Sequence, residues 1–179
     1  MVNKPTIITF SGKAQAGKDS SANILKELLE KRGLRILRIN YGDYIKYLAA
    51  MCLGWNGEKD ETGRTTLQLL GTEKVRSVFP DFWVDSVIDV VKIFENDFDF
   101  ILIADCRFPN ELKRWKEEGY SSIPIHVERP GFDNGLTEEQ KNHPSETALD
   151  EYWFVEYLKA INLVELEQEV IKKVLPLCC

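Results

Sequence analysis

Residues 5–33 hold the feature that most narrows the fold. A short β-rich apolar run, PTIITF, leads through Ser11 to Gly12. Four intervening residues lead to Gly17 and Lys18, and then come apolar positions at helical spacing (Ala22, Leu25, Leu28, Leu29) closed by Gly33. This is strand, loop and helix in that order. The glycines let backbone N–H groups approach an anion, and the helix N-terminus adds about half a positive charge there. Gly12, Lys13, Ala14, Gly17, Lys18, Asp19 and Ser20 therefore form a candidate loop for the phosphates of a nucleoside triphosphate, with Lys18 as the point charge on the β- and γ-phosphates. Asp19 stands where such loops usually carry Ser or Thr.

The rest of the chain keeps alternating. Leu34–Ile39 reads as a strand and Asp43 to about Cys52 as a helix, followed by a polar break over 54–63. Two helices are expected over 64–79 and 82–96, separated by Pro80. FDFILIADC, residues 98–106, is the continuous apolar run of a strand buried on both faces. Pro109 opens a short polar helix over 110–118 that Gly119 stops, and 122–128 is another strand. Residues 129–143 show no periodicity and read as a mobile loop. A helical turn at 145–149, a strand over 154–161 and a helix over 163–175 follow. Five strands interleaved with helices predict an α/β fold, a parallel sheet with helices on both faces.

With 179 residues, one domain is expected. Net charge is −6, which disfavours nucleic acid or an anionic membrane as a partner and suits a small anionic ligand held in a local basic pocket. MVNKPTIITF lacks the features of a signal peptide, and no apolar stretch reaches the ~18 residues of a membrane span. Cys52, Cys106, Cys178 and Cys179 have no zinc-ligand spacing and read as reduced thiols, so a cytoplasmic protein is expected.

Asp105 ends the buried run ILIAD, where doubly wound sheets place ligand groups; it reads either as a magnesium-associated acid or as a strand-end cap. Arg64, Arg76 and Arg107 flank predicted element ends, and a guanidinium fork suits phosphate. A triphosphate loop with further arginines in one crevice predicts a second anion.

Six segments, in order, carry a family resemblance: SGKAQAGKDS (11–20), YGDYIK (41–46), LQLLGTEKVR (67–76), the FW at 82–83, ADCRFPNE (104–111) and HPSETALD (143–150). Together they resemble the deoxynucleoside monophosphate kinases encoded by bacteriophages. More distantly they resemble the animal-type phosphomevalonate kinases. Both are phosphate-loop kinases of the adenylate-kinase type, in which an aspartate commonly follows the loop lysine. The resemblance implies a three-layer fold with a five-stranded parallel sheet, a helical monophosphate-binding segment over about 41–97 and a short lid over about 129–146.

It also implies ATP as phosphoryl donor with Mg²⁺, and a deoxynucleoside monophosphate as acceptor. Asp43, Lys46, Arg64, Gln68, Thr72, Arg76, Trp83, Arg107 and Glu146 would line the acceptor side, with plain core packing an equal reading of Trp83. His143 and Ser145 would close the site beside Glu146. Asp19 or Ser20, with Asp105, would serve the metal, since a carboxylate is a hard oxygen ligand and the metal's charge offsets its repulsion from phosphate. Lys18, Arg107 and Arg129 would act on the phosphoryl in flight. Kinases of this group bring several lid arginines, whereas 129–146 offers only Arg129, Lys141 and His143, so either Arg129 carries that role or other arginines share it. A phosphomevalonate kinase and a nucleotide-binding ATPase module are the alternative readings, and a homodimer is left open.

Overall fold

A computed structural model describes residues 4–58 and 60–178. Its centre is one five-stranded sheet: β1 (Thr6–Ser11), β2 (Ile36–Arg38), β3 (Phe100–Cys106), β4 (Ser122–Glu128) and β5 (Glu156–Lys159). All pairings are parallel, in the order β2-β3-β1-β4-β5.

Alternate residues of each central strand serve opposite faces. Ile8, Phe10, Leu102 and Val127 pack under α1 (Lys18–Glu30) and the C-terminal helix α8 (Leu163–Glu169), whose winding continues through Val170–Val174. Ile7, Ile101 and Ile103 pack under α4 (Phe82–Phe94) and α5 (Pro109–Glu117), with Trp115 at the centre of that layer. The unbroken apolar run in β3 follows from this, because neither face meets water. The edge strands β2 and β5 are shorter than their sequence patterns imply.

Between β2 and β3 lie α2 (Gly42–Leu53) and α3 (Glu61–Gln68), and α3 runs without a break into a π-helical stretch, Leu69–Arg76. The expected helix at 64–79 starts earlier because the Asp60 side chain accepts the Gly63 N–H at 2.7 Å, an N-cap inside the apparent polar break. The loop expected over 129–143 contains a short helix, α6 (Glu138–Asn142). Thr137 and Gln140 form its capping box, a local signal that the absence of apolar periodicity concealed. Next comes α7 (Pro144–Thr147).

Strand register places the site. Ser11, last in β1, lies beside Cys106 of β3 on one side and His126 of β4 on the other. The connections from β1 and its neighbours diverge here, leaving a crevice at the carboxyl ends of the strands.

Candidate active site

The loop between β1 and α1 depends on left-handed backbone. Gly12 has φ 136° and Gly17 φ 104°. A Cβ on Gly12 would stand 2.2 Å from the Val127 carbonyl oxygen, so the loop can lie this close to β4 only with glycine there. The Lys18 ammonium turns back into the loop and donates to the carbonyls of Gly12 and Lys13, each at 2.8 Å. Burial pushes its pKa down to about 7, helped by the Arg107 charge and opposed by Glu146, Asp105 and Asp19. An anion in the loop would relieve this lysine.

Arg107, just past β3, stands at the centre of the crevice. One Nη1 lies 2.6 Å from Glu146 Oε1, 3.2 Å from the Gly12 carbonyl and 3.3 Å from that of Ser145. The other Glu146 oxygen accepts the Ala14 N–H of the loop at 2.9 Å. Lys13 reaches the Glu146 carbonyl and Asp150, both at 2.5 Å. The segment around α7 is thereby fastened across the loop. His143 caps α7, its Nδ1 accepting the Ser145 N–H at 3.1 Å.

On the β3 side opens a cleft of about 170 Å³. Gln68, Thr72, Arg76 and Arg107, four of the expected acceptor residues, line it together, with Ser145 at its border. Arg76 is firmly placed: Nη2 lies 2.6 Å from Glu111 Oε1, Nη1 donates to Asn110 Oδ1 at 3.2 Å, and the guanidinium lies 4.0 Å from the centre of the Phe108 ring. Tyr41, Phe108 and Glu111 also line the cleft and were missed in the sequence. For Glu111 a signal existed, since Pro109 at the first helical position puts Glu111 at the third, from which a carboxylate reaches back to the helix start. It accepts the N–H groups of Arg107 and Phe108 at 2.6 and 3.0 Å. Burial pushes its pKa up to about 7, with Arg76 the largest opposing influence.

The other expected acceptor residues lie elsewhere. Asp43 and Lys46 pair with each other at 2.7 Å on the first turn of α2. Trp83 is 1% exposed, and its indole N–H donates to the Gly71 carbonyl at 2.8 Å, the placement of a core residue. Arg64 sits part-exposed on α3, and Glu146 lines the smaller neighbouring cavity with Gly12, Lys13 and Arg107.

Asp105 serves α2. Its oxygens accept the N–H groups of Tyr41 and Gly42 at 3.0 and 2.7 Å, the strand-end cap that the sequence left open. Burial raises its pKa, and those two bonds oppose the rise. Asp19 is 72% exposed in the first turn of α1 and pairs with Arg38 of β2. Among the described residues no group of three His, Cys, Asp or Glu is placed to hold a metal unaided. Asp19, Ser20 and Asp105 offer hard oxygens only, a set that suits Mg²⁺ shared with phosphate and water.

Beyond Ser20 lies a cavity of about 310 Å³ between Gly17 and the β5–α8 connection, bordered by Arg129, Asn162 and Leu163. Arg129 stacks on Phe132 at 3.9 Å and donates to the Ile161 carbonyl at 3.4 Å. It also borders, with Lys13 and Ala14 of the loop, a cavity of about 430 Å³ on the β4 side, and it lines neither of the two cavities that Arg107 borders.

No protein-family model matches the chain, and no curated protein does. Among solved structures it is similar to the Mycobacterium tuberculosis APS kinase CysC in complex with AMPPNP and APS, at 14% identity and a TM-score of 0.52 over 96% of this chain and 98% of that one. A cysteine-to-alanine mutant of that kinase matches over the same spans at 14% identity and a TM-score of 0.50. The fold is that of the phosphate-loop kinases. With it, the sheet and flanking helices expected from the sequence are observed, and no helix among the described residues is long and apolar enough to cross a membrane.

Proposed function

We propose that this chain transfers the γ-phosphoryl of ATP to the 5′-phosphate of a deoxynucleoside monophosphate, giving the diphosphate and ADP. One observation carries the reading: Arg107 borders both the cavity beside the phosphate loop and the cleft that holds Gln68, Thr72 and Arg76. A single guanidinium then spans two anion sites, which is the requirement for bringing a donor and an acceptor phosphate end to end. A kinase of the same fold bound to AMPPNP and APS supports a two-ligand crevice.

Phosphoryl transfer asks the protein for positioning and charge neutralisation more than for proton chemistry. Loop N–H groups and Lys18 hold the donor phosphates. Arg76 and Arg107 hold the acceptor phosphate and the transferring group. To make room, Glu146 gives up the Ala14 N–H and Arg107, groups that a phosphate oxygen would use. Arg129 holds the nucleoside end, and its lid role requires the 129–137 segment to swing inward. Asp19 or Ser20, with Asp105, would hold Mg²⁺, which would supply charge neutralisation at the donor phosphates.

The test is an acceptor panel of the four deoxynucleoside monophosphates, their ribonucleotide counterparts and phosphomevalonate, each with ATP and Mg²⁺ and scored by ADP release. Turnover with deoxynucleoside monophosphates is expected. Turnover with phosphomevalonate alone would move the chain to the other kinase class, and slow acceptor-independent hydrolysis would make it an ATPase module.

A further inference from the structure

We infer that Glu111 is a positioning residue that fixes the acceptor-side Arg76 to the strand end carrying Arg107, and so sets the separation between acceptor site and transfer site. The inference rests on the kinase reading above and adds to it a residue outside the reacting groups.

The two arginines come from independently built parts. Arg76 ends the π-helical stretch that follows α3, over the far end of the sheet's crevice, whereas Arg107 follows directly from β3. Nothing in local backbone structure fixes one against the other. Glu111 does so with a single carboxylate: Oε1 takes the head of Arg76 at 2.6 Å, and Oε2 takes the backbone N–H of Arg107 at 2.6 Å. The carboxylate is 3% exposed. Burying a charge this deeply is costly, and capping α5 alone would need only a neutral acceptor. A carboxylate adds a charged fork to match a guanidinium. Phe108 beneath Arg76 and Asn110 beside it complete a socket built from the same turn. With the socket occupied, Arg76 cannot drift with α3 and stays at a fixed offset from Arg107.

Glu111→Gln separates this role from simple capping. The amide oxygen still accepts the Arg107 and Phe108 N–H groups, but its NH₂ then meets Arg76 donor to donor. The experiment is a double-mutant cycle of Glu111→Gln and Arg76→Met at pH 8, where the Glu111 carboxyl is ionised, reading kcat and KM for ATP and for whichever of the four deoxynucleoside monophosphates the wild type phosphorylates. In the Glu111→Gln variant the acceptor KM should rise roughly 10- to 100-fold, the effect of one charge-assisted hydrogen bond, while the ATP KM changes less than about twofold. In the Arg76→Met background the same substitution should leave the acceptor KM unchanged, because its partner is already gone.

Equal losses for both substrates, or a full Glu111→Gln effect in the Arg76→Met background, would show a cap and overturn the inference. Should Glu111→Gln fail to fold, Glu111→Asp keeps the charge and shortens its reach; a selective rise in acceptor KM supports positioning, and a wild-type acceptor KM overturns it. If the wild type phosphorylates none of the four, the kinase reading fails first and takes the inference with it.

Discussion

Replacing Lys18 by methionine should raise the stability of the ligand-free protein while removing its activity. The lysine is buried in the loop between β1 and α1, and its pKa falls from 10.5 to about 7. Holding the ammonium there costs roughly 4–5 kcal/mol at or below pH 7. Its hydrogen bonds to the Gly12 and Lys13 carbonyls return on the order of 2–3 kcal/mol. Methionine keeps the aliphatic volume without the charge, so the variant should gain about 1–3 kcal/mol at pH 7, or ~2–12 °C in Tm for a chain of this size.

The sign reverses with pH. Between 7 and 10.5 the unfolded chain keeps a proton that the folded one has released, so wild-type stability rises across that window. By pH 9.5 the penalty has largely gone and the variant, lacking the two hydrogen bonds, should be the less stable protein. Thermal or urea unfolding at pH 6, 7 and 9.5, with ADP release measured alongside, checks both halves. Transfer should fall by at least a factor of ~10²–10³. A stability difference that does not vary with pH, or retained turnover, would refute the account of Lys18.

Arg107→Ala should lower kcat by on the order of 10²–10³, and Arg107→Lys should not restore it because an ammonium lacks the fork; near-normal kcat in either variant removes Arg107 from the transfer step. Gly12→Ala pushes a Cβ to 2.2 Å from the Val127 oxygen at φ 136°, so titration calorimetry with a non-hydrolysable ATP analogue should detect no binding, and normal affinity would contradict the loop geometry. Trp83→Ala empties a site 1% exposed and should cost on the order of 3–5 kcal/mol in urea unfolding; a change in acceptor KM with intact stability would instead return Trp83 to the site. Burial raises Glu111 from 4.5 to about 7, so between those pH values the folded chain holds a proton that the unfolded one has lost, and Glu111 weakens the fold as pH rises through the window. Glu111→Gln should remove that part of the pH dependence in unfolding midpoints, and an unchanged pH slope would show the carboxyl to be ionised throughout.

The fold was legible because its signals are local and redundant. The run FILIADC announces a strand covered on both faces, and Gly12, Gly17 and Lys18 announce the loop, since backbone torsion and hydrophobic alternation depend on near neighbours. The start of α3 and the existence of α6 were missed for the opposite reason: both rest on single side-chain caps, Asp60 and Thr137, within stretches that have no apolar rhythm.

The site divided along the same line. Residue types suited to phosphate could be picked from the sequence, and Gln68, Thr72, Arg76 and Arg107 do meet in one cleft. Which partner each takes was decided by the fold. Asp105 spends two lone pairs on α2, Trp83 turns into the core, Arg129 lies on Phe132, and Glu111 binds two arginines from elements 31 positions apart in the chain. Sequence by itself determined the order of the five strands and of the longer helices between them, and the residue types of the loop, because those follow from a few adjacent residues. Tertiary structure alone decided which charges face one another, because Coulomb and hydrogen-bond partners are chosen by distance in space, and a parallel sheet brings together residues from distant parts of the chain.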